Sequence, residues 1–393
     1  MAMDVVILSA ARTPTGRFGG RLRTCTAAQL GADAARAALE RAGVRPEQVG
    51  ACIFGNARQA GGGPNPARQI GRRSGLADAV PAFTVNQACA SGLKAVELAC
   101  QEIALGGQEC ILAGGAEAMS RIPFLAEDVR WGARMGHKPL VDAMFRDGYR
   151  CPLAEMVMGE TADLLAREYG ISRSEQDEYA LRSQRRAAAA RAAFAAEIAP
   201  VELASGANGA SERLAEDEPP RATDLGQLAR LPPVFSTEGT VTAGNASSIA
   251  DGAAALVLAS ARFAERQGLV PLAKVLGFAS AGVDPRRMGL GPVPATRRLL
   301  ENLRRRIEDF DGVELNEAFA AQVLACQRDL PFAADKLNVR GGAIALGHPT
   351  GCSGARILVT LLHSLRKGGG GLGLATLCAS GGLGLAAAIE VIG

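Results

Sequence analysis

Short runs of apolar residues alternate along this chain with longer segments in which apolar residues recur every three or four positions. The short runs are typical of buried strands, and the longer segments of helices that bury one face. In the first third, strands and helices are predicted in alternation at Val5–Ser9, Ala27–Gly43, Val49–Gly55, Ser91–Leu105 and Cys110–Ala113. Because a helix between two strands returns the chain to the same end of the sheet, this order predicts a parallel α/β layer.

The C-terminal third repeats the same order of elements. They are predicted at Leu272–Phe278, Pro294–Arg306, Gly312–Leu315, Ser353–Arg366 and Leu372–Leu377. Polar positions also keep their spacing, since Asn56 precedes Cys89 by 33 positions and Asn316 precedes His348 by 32. The sequence therefore predicts two structurally related halves, although the identity between them is low.

The segment from Met119 to Thr242 interrupts this alternation. It contains the only tryptophan, Trp131, a polar helix predicted around Ser172–Ala196 and an acidic stretch with Gly and Pro at Ser205–Pro220. Long insertions in α/β proteins often carry substrate contacts. The expected domains are an N-terminal half of residues 1–118 and 248–268, an insertion of residues 119–247 and a C-terminal half of residues 269–393.

Composition and charge narrow the class of protein. The 393 residues carry a net charge of +3 without a dense basic run, which argues against nucleic-acid binding. No apolar run reaches the length of about 18 residues that a membrane span needs, and residues 1–7 lack the basic region of a signal peptide. The nine cysteines include no Cys-x-x-Cys pair, and the three histidines lack zinc-like spacing to any of them. These features predict a cytoplasmic protein with reduced thiols, no metal site and no membrane association.

The tetrapeptide Cys-Ala-Ser-Gly occurs twice, at Cys89–Gly92 and at Cys378–Gly381. Cys89 follows the predicted strand Pro81–Val85 and precedes a helix, where backbone N–H groups and the helix dipole stabilise a thiolate. His348 lies between a predicted strand and a predicted helix, at the place in the second half that Cys89 has in the first. The duplication therefore predicts an imidazole that faces a thiol.

Each candidate residue also has an ordinary structural explanation. Most cysteines are buried and inert, a histidine before a helix can serve as a cap, and Asn316 at a strand end is typical of a turn. The glycines after Cys378 favour chemistry instead, because they let backbone amides approach a ligand. Across the duplication, Cys378 is matched to a predicted turn near Gly114-Gly115.

Three common functional motifs are misplaced or absent. Gly368, Gly370 and Gly373 fit the pattern G-x-G-x-x-G, but they precede a predicted strand, whereas a dinucleotide site needs its glycines after one. Neither a P-loop nor a G-x-S-x-G nucleophile motif occurs in the sequence.

Five motifs, in this order, resemble those of the thiolase family, and the resemblance extends over essentially the whole chain. They are Asn86-Gln87-Ala88-Cys89-Ala90-Ser91-Gly92, Ala113–Ser120, Gly239–Ser247, Asn316-Glu317-Ala318-Phe319 and Gly347-His348-Pro349. The resemblance implies an α/β thiolase fold, with a duplicated five-layered αβαβα core and an inserted loop domain that takes part in oligomerisation. It also implies a homotetramer or homodimer, coenzyme A thioesters such as acetyl-CoA as substrates, and no permanently bound cofactor.

The resemblance implies a role for each candidate residue. Cys89 would be the nucleophile that takes the acyl group, and His348 would accept its proton. Cys378 would be the general acid and base. Asn316 would bind a water that completes one oxyanion hole with His348, and the backbone amides of Cys89 and Ser380 would form the other.

Contacts with coenzyme A follow from the same resemblance. They are Ser247 and Ala243 at the pantetheine arm, Phe235 and Arg221 at the adenine end, and Met288 and Phe319 in the acyl pocket. Two positions depart from the family pattern. Val157 stands where many acetoacetyl-forming thiolases have a histidine, which weakens the expectation of strict short-chain specificity. Ser380 stands where many relatives have glycine, so a left-handed backbone there would be strained.

The leading functional hypothesis is an acetyl-CoA C-acetyltransferase that interconverts two acetyl-CoA with acetoacetyl-CoA and free CoA. The alternative is a degradative 3-ketoacyl-CoA thiolase, an acetyl-CoA C-acyltransferase that cleaves longer or substituted chains. A ketoacyl synthase would lack a counterpart of Cys378. A non-catalytic CoA-binding protein would have no physical reason to keep all four candidate residues.

Overall fold

The computed structural model of this chain describes residues 4–203 and 212–393. The first three residues, and residues 205–211 of the predicted acidic stretch, lie outside the described residues. None of the helices within the described ranges is long and apolar enough to cross a membrane.

The first part of the chain alternates strands and helices, as predicted. Its elements are β1 (Val5–Arg12), β2 (Gly16–Arg17), α1 (Ala27–Ala42), β3 (Ala51–Gly55), α2 (Pro66–Arg73), β4 (Ala82–Val85), α3 (Ser91–Ala104) and β5 (Cys110–Ala118). The middle part has short strands and two longer helices. Its elements are β6 (Phe124–Leu125), β7 (Val141–Asp142), β8 (Arg150–Cys151), β9 (Met156–Val157), α4 (Met158–Glu168), α5 (Arg173–Ala190), β10 (Val201–Leu203), β11 (Glu212–Leu214) and α6 (Leu225–Ala229).

The last part begins with a strand that returns to the first sheet and then repeats the opening order. Its elements are β12 (Ala250–Ser260), α7 (Ala261–Gln267), β13 (Ala273–Gly282), α8 (Pro292–Leu303), β14 (Gly312–Leu315), α9 (Ala320–Asp329), α10 (Ala343–Leu346), α11 (Thr350–Lys367), β15 (Gly371–Ala379) and β16 (Leu383–Val391). The domain boundaries expected from the sequence stay a prediction.

The two halves share one strand order, which confirms the predicted duplication. The strands run β14-β15-β16-β13-β1-β12-β5-β3-β4, and the first half supplies the run from β1 to β4. In the second half, the counterpart of β4 is reduced to a single bridge between Val313 and Leu337. The prediction of a parallel layer is wrong for two strands, because β12 and β16 run antiparallel to their neighbours. Neither strand is reached through a crossover helix: β16 follows a tight turn and β12 enters from the insertion.

Five layers follow from the three main apolar clusters. The central cluster joins α3 and α11 to inward-facing side chains of both sheet halves, including Ile53, Ile111, Leu377 and Ile389. Helices α1 and α2 cover the outer face of the first half-sheet. Helices α8 and α9 cover the outer face of the second. The order is therefore helix, sheet, central helices, sheet and helix, as the resemblance implied.

Small residues let the two central helices touch. A Cβ atom added at Gly92 would lie 2.9 Å from the amide nitrogen of Ala355, and one at Gly354 would lie 2.6 Å from that of Leu93. Only glycine allows such an approach of backbone to backbone. The close packing brings the N-termini of α3 and α11 together, and those termini carry Cys89 and His348.

Two predicted boundaries were wrong for the same reason. Strand β5 continues to Ala118, so Gly114-Gly115 lie inside a strand and form no turn. A Cβ at Gly114 would collide with the backbone of β12, and one at Gly115 with the carbonyl of Gly351 in α11. These glycines serve close packing, although their composition resembles that of a turn. Helix α11 likewise begins at Thr350, three residues before the predicted start.

Candidate active site

The turn that presents Cys89 is held by the side chains around it. Asn86 Oδ1 accepts a hydrogen bond from the amide of Ala88 at 3.0 Å. Ser91 Oγ accepts from the amide of Gln87 at 2.9 Å and donates to the carbonyl of Ala88 at 2.6 Å. Ala88 has φ 49°, a left-handed conformation that a non-glycine residue adopts only when its surroundings enforce it. This strained turn leaves Cys89 half-buried, two positions before α3 begins.

His348 has the equivalent position, two residues before α11. It follows the short helix α10, so the predicted strand before it is absent. Its backbone amide donates to the carbonyl of Ser248 at 2.9 Å. Its Nδ1 lies 2.6 Å from Ser353 Oγ, and that hydroxyl donates its proton to the carbonyl of Pro349 at 3.0 Å. Ser353 must therefore accept from His348, which places the proton on Nδ1 and leaves a lone pair on Nε2.

The imidazole is buried as a neutral base. Burial, with the nearby cations Arg356 and Arg58, lowers the pKa of His348 to about 3. Its Nε2 atom is buried and has no hydrogen-bond partner among the described residues. An unsatisfied buried acceptor costs about 1–3 kcal/mol, so it indicates a position that a ligand or substrate proton fills.

Two backbone amides converge on the Cys89 sulfur, its own and that of Ser380. Burial raises the pKa of the Cys89 thiol above its ordinary value of 9.0, while Arg58 and these amides act in the opposite direction. Gly381 and Gly382 make the turn after Cys378, with φ of 88° and 81°. Ser380 itself is not left-handed, so serine is tolerated there without the strain expected from the sequence.

Asn316 and Cys378 complete the set of candidate residues. Asn316 follows β14, and its backbone amide donates to the carbonyl of Thr376 at 3.0 Å. Both polar atoms of the Asn316 side chain are buried and have no partner among the described residues. Cys378, near the end of β15, is only 1% exposed. Burial raises its pKa well above the ordinary value, and electrostatic interaction with Cys89 acts in the same direction.

The equivalent of Cys378 in the first half differs from the one expected from the sequence. The strand register makes Asn56 with Glu117 equivalent to Asn316 with Cys378. The counterpart of Cys378 is therefore Glu117, beyond the predicted Gly114-Gly115. Asn56 Nδ2 donates to Glu117 Oε1 at 2.7 Å, so the first-half pair is satisfied internally. The second-half pair lacks such a bond among the described residues, which leaves its polar groups available.

Glu117 is a functional candidate that the sequence analysis did not identify. It is fully buried at the end of β5 and accepts hydrogen bonds from five donors. They are Asn56 Nδ2, the amides of Ala57, Arg58 and Gly351, and Thr350 Oγ1. Burial raises the pKa of Glu117, opposed first by Arg58. Two signals in the sequence could have found it: the motif Ala113–Ser120 contains Glu117, and the spacing of Asn56 marked its strand end as equivalent to that of Asn316.

Three of the predicted coenzyme A contacts lie in one apolar cluster with Cys378. They are Met288, Phe319 and Phe235. The rings of Phe235 and Phe319 meet edge to face, with centroids 6.3 Å apart and an interplanar angle of 85°. The structure thus brings the predicted acyl-pocket residues beside the second thiol, and Phe235 with them. Val157 lies between Met156 and Met158 of this cluster, so the segment that lost a histidine is apolar.

The remaining predicted contacts lie in the segment before β12, next to Ser248, whose carbonyl accepts from the amide of His348. Arg221 Nη2 donates to the carbonyl of Ala243 at 3.0 Å, which joins two residues expected at opposite ends of coenzyme A. Ala243 is exposed. Ser247 is half-buried, and its amide donates to the carbonyl of Ala318 at 3.0 Å, which ties the Gly239–Ser247 motif to the motif of Asn316.

Comparison with known proteins agrees with this geometry. The family model of the thiolase N-terminal domain matches residues 5–262, and that of the thiolase C-terminal domain matches residues 269–391. The chain is 50% identical over 390 residues to the acetyl-CoA acetyltransferase of Cupriavidus necator, covering 98% of this chain and 99% of that protein. The chain therefore belongs to the thiolase family.

Solved structures extend the likeness to the fold. The crystal structure of the Bacillus anthracis acetyl-CoA acetyltransferase matches with a TM-score of 0.96 and 41% identity, over 100% of this chain and 99% of that chain. The human mitochondrial 3-ketoacyl-CoA thiolase matches equally well, with a TM-score of 0.96 and 41% identity over 100% of both chains. The thiolase fold expected from the motifs is confirmed.

Proposed function

We propose that this protein transfers acyl groups to and from coenzyme A by reversible Claisen condensation, most simply joining two acetyl-CoA into acetoacetyl-CoA and free CoA. One observation carries the proposal. Three buried polar atoms that have no partner among the described residues, His348 Nε2 and both polar side-chain atoms of Asn316, accompany two thiols that interact electrostatically. These are the groups that an acyl transfer followed by a carbon–carbon bond requires.

The first half-reaction is acyl transfer to Cys89. His348 Nε2 accepts the thiol proton, and the sulfur attacks the thioester carbon of acetyl-CoA. The amides of Cys89 and Ser380, which converge at this sulfur, hold the oxyanion. Cys378 gives its proton to the departing CoA thiolate and is left as a thiolate, and a new thioester remains on Cys89. Because one thioester replaces another, the step is nearly isoenergetic and runs in both directions.

The second half-reaction forms the carbon–carbon bond. Cys378 removes an α-proton from a second acetyl-CoA, and His348 with a water on Asn316 stabilises the enolate oxygen. The enolate carbon attacks the acetyl group on Cys89, the carbon–sulfur bond breaks, and acetoacetyl-CoA forms. In this scheme Ser247, Ala243, Phe235 and Arg221 bind coenzyme A, and Met288 and Phe319 enclose the acyl group.

A degradative 3-ketoacyl-CoA thiolase is the second candidate. The observation that favours it is the apolar segment Met156–Met158, where Val157 offers no polar side chain near the thioester. An apolar wall fits a longer acyl chain at least as well as an acetyl group.

We further propose a cytoplasmic homotetramer or homodimer. All nine cysteines are free thiols, which fits a reducing compartment. Strand β4 lies at the edge of the sheet, and Phe83 within it is 44% exposed. Trp131 and Met135 in the insertion are 88% and 94% exposed. Large apolar side chains in such positions favour burial against another copy of the chain.

Incubation with acetyl-CoA, followed by peptide mass spectrometry, tests the catalytic part of the proposal. We expect an acetyl group on Cys89 and none after Cys89→Ala, with Cys110→Ala as a control that removes a buried thiol elsewhere. Label on another residue, or no label, would contradict the mechanism. Cleavage rates of acetoacetyl-CoA and of 3-ketoacyl-CoA with six to ten carbons then separate the two candidates, since equal or faster cleavage of the longer substrates excludes the short-chain assignment.

A further inference from the structure

A cavity lined by cations lies beside β1, at the end of α11 opposite to His348. Its volume is about 630 Å³, and sites for small molecules usually enclose about 300–1,000 Å³. Helix α11 has 18 residues, so its two ends lie about 27 Å apart. The cavity is therefore separate from the proposed active site, and the acyl-transfer scheme makes no use of it.

The cavity opens because the two half-sheets stay joined over only two residues of β1. Val6 and Ile7 pair with β13, and at Leu8 a bulge interrupts the pairing of β1 with β12 and bends the strand. The turn Ala193–Ala196 of the insertion closes the other side. One wall of the cavity is thus apolar and built mostly of small side chains, from Leu8, Ala10, Ala192, Ala193, Ala196 and Leu272.

The opposite wall carries positive charge from three separate parts of the chain. It is formed by Arg41, Arg340, His363, Arg366 and Lys367, and no carboxylate of the described residues lines the cavity. The Arg41 guanidinium donates to the main-chain carbonyls of Ala196, Glu197 and Ile198, which hold it in place without neutralising its charge. The side chains of Arg366 and Lys367 are exposed and have neither a hydrogen bond nor an ion pair among the described residues.

Arg340 is the buried cation of this wall, with only 6% of its surface exposed. Its Nη2 donates to the carbonyl of His363 at 2.8 Å, and its Nη1 lies 3.5 Å from Glu197. Glu197 is mainly bound by other donors, since it accepts from Arg12 at 2.6 Å and from Thr360 at 3.0 Å. A buried cation that is incompletely paired destabilises the fold until an anion approaches it. The cavity therefore favours a ligand with negative charge.

We propose that this cavity binds a nucleoside diphosphate group, with its phosphates at Arg340, Arg366 and Lys367 and its base against the apolar wall. Phosphate oxygens accept the charge-assisted hydrogen bonds that guanidinium and ammonium groups donate. The alanines of the apolar wall leave room for a flat ring to approach the backbone. The same chemical group occurs in free nucleotides and in the nucleotide end of coenzyme A, so both are sources of the ligand.

A simpler role for two of these cations predicts a different result. Arg366 and Lys367 lie in the last turn of α11, where cations interact favourably with the helix dipole. If this were their only role, their loss would lower the unfolding temperature and leave the affinity for nucleotides unchanged. A role in ligand binding instead changes the affinity, so the two measurements on the same variant separate the two roles.

The test titrates the full-length enzyme with ADP by isothermal titration calorimetry, with adenosine as the analogue that lacks the phosphates. We expect a Kd for ADP below about 1 mM and binding of adenosine at least about 10-fold weaker. The double variant Arg366→Gln/Lys367→Gln should weaken ADP binding by about 10- to 100-fold. ADP at the proposed coenzyme A site would compete with acetyl-CoA, so KM for acetyl-CoA is measured as well and should keep its wild-type value.

Arg305→Gln is the matched control. It removes another exposed arginine, which follows α8 and does not line the cavity, so it should change neither the Kd for ADP nor KM for acetyl-CoA. Titration with coenzyme A identifies the source of the ligand. A second equivalent of coenzyme A per subunit, lost in the double variant, identifies coenzyme A, whereas one equivalent in both enzymes identifies a free nucleotide.

An unchanged Kd for ADP in the double variant would overturn the inference and leave Arg366 and Lys367 with their role at the end of the helix. Equal affinities of the wild type for ADP and adenosine would overturn it as well, because the phosphates would then contribute nothing. A wild type that binds no ADP would have the same consequence.

Discussion

At the scale of single residues, the site is defined by buried polar atoms that find no hydrogen-bond partner in the part of the chain that the structure describes. Burial of His348 Nε2 and of the Asn316 side chain lowers the stability of the fold unless substrate or water supplies their hydrogen bonds. The structurally equivalent Asn56 has its partner in Glu117 and therefore has no such capacity. The same strand end thus supports the fold in one half and chemistry in the other.

Replacement of Cys378 by alanine tests whether Cys89 and Cys378 act in different half-reactions. We expect Cys378→Ala to form the acyl-enzyme on Cys89 at a rate near that of the wild type, because His348 still accepts the first proton. Condensation should fall by about 10²- to 10⁴-fold, the usual contribution of a general base. Mass spectrometry measures the first step, and acetoacetyl-CoA formation measures the second.

Cys110→Ala is the matched control, since it removes another buried thiol and should leave condensation intact. Undiminished condensation in Cys378→Ala would refute the assigned role. Loss of acyl-enzyme formation as well would move Cys378 into the first half-reaction.

At the scale of secondary-structure elements, Glu117 joins three parts of the fold. It lies on β5, binds the loop after β3 through Ala57 and Arg58, and accepts from Thr350 and Gly351 at the start of α11. A carboxylate at a helix N-terminus also interacts favourably with the helix dipole. This contact holds the helix that carries His348 against the half that carries Cys89.

We expect Glu117→Gln to lower the free energy of unfolding by about 2–4 kcal/mol, because an amide turns a donor toward groups that are themselves donors. Acylation of Cys89 should slow at the same time, since the N-terminus of α11 loses its anchor. Urea unfolding and the rate of Cys89 acetylation measure the two effects.

Glu109→Gln provides the control. Glu109 precedes β5 and pairs with Arg266 on the surface, where solvent screens the pair, so its loss should cost much less stability than the loss of Glu117. Equal costs for the two variants would show that the Glu117 contacts do not hold the helices together.

Secondary structure followed from the sequence wherever local periodicity was strong. Helix α3 differs from its prediction by a single residue at its end, and β14 has the predicted bounds. Among the boundary errors, those at β5 and α11 fell where Gly-rich sequence marks close backbone contact. Local patterns do not distinguish a glycine needed for packing from one needed for a turn, because the partner backbone is distant in sequence.

At the scale of the whole molecule, the two ends of the sheet differ. Strand β14 is covered by the bridge from Val313 to Leu337, whereas β4 forms an edge with exposed side chains. An uncovered edge strand has free N–H and C=O groups that can pair with another chain. In the proposed oligomer, β4 is therefore the surface through which we expect two copies to associate.

We expect Phe83→Lys to convert the assembled protein to a monomer, because a lysine ammonium is costly to bury at an interface between like strands. Sedimentation velocity measures the change. Val270→Lys is the control, since Val270 is 81% exposed before β13 and lies away from this edge in the strand order. An unchanged mass for Phe83→Lys would exclude β4 from the interface.

The sequence by itself determined the duplicated α/β architecture, the inserted segment and the candidate residues Cys89, His348, Asn316 and Cys378. Periodicity and short motifs are local properties, so they can be identified in the sequence without knowledge of the fold. Only the tertiary structure decided which groups are satisfied and which are not. Glu117 meets its partner Thr350 across 233 positions, and Arg58 meets the backbone of Asp147 across 89. Contacts at such separations depend on how the two halves pack, and no local pattern encodes them.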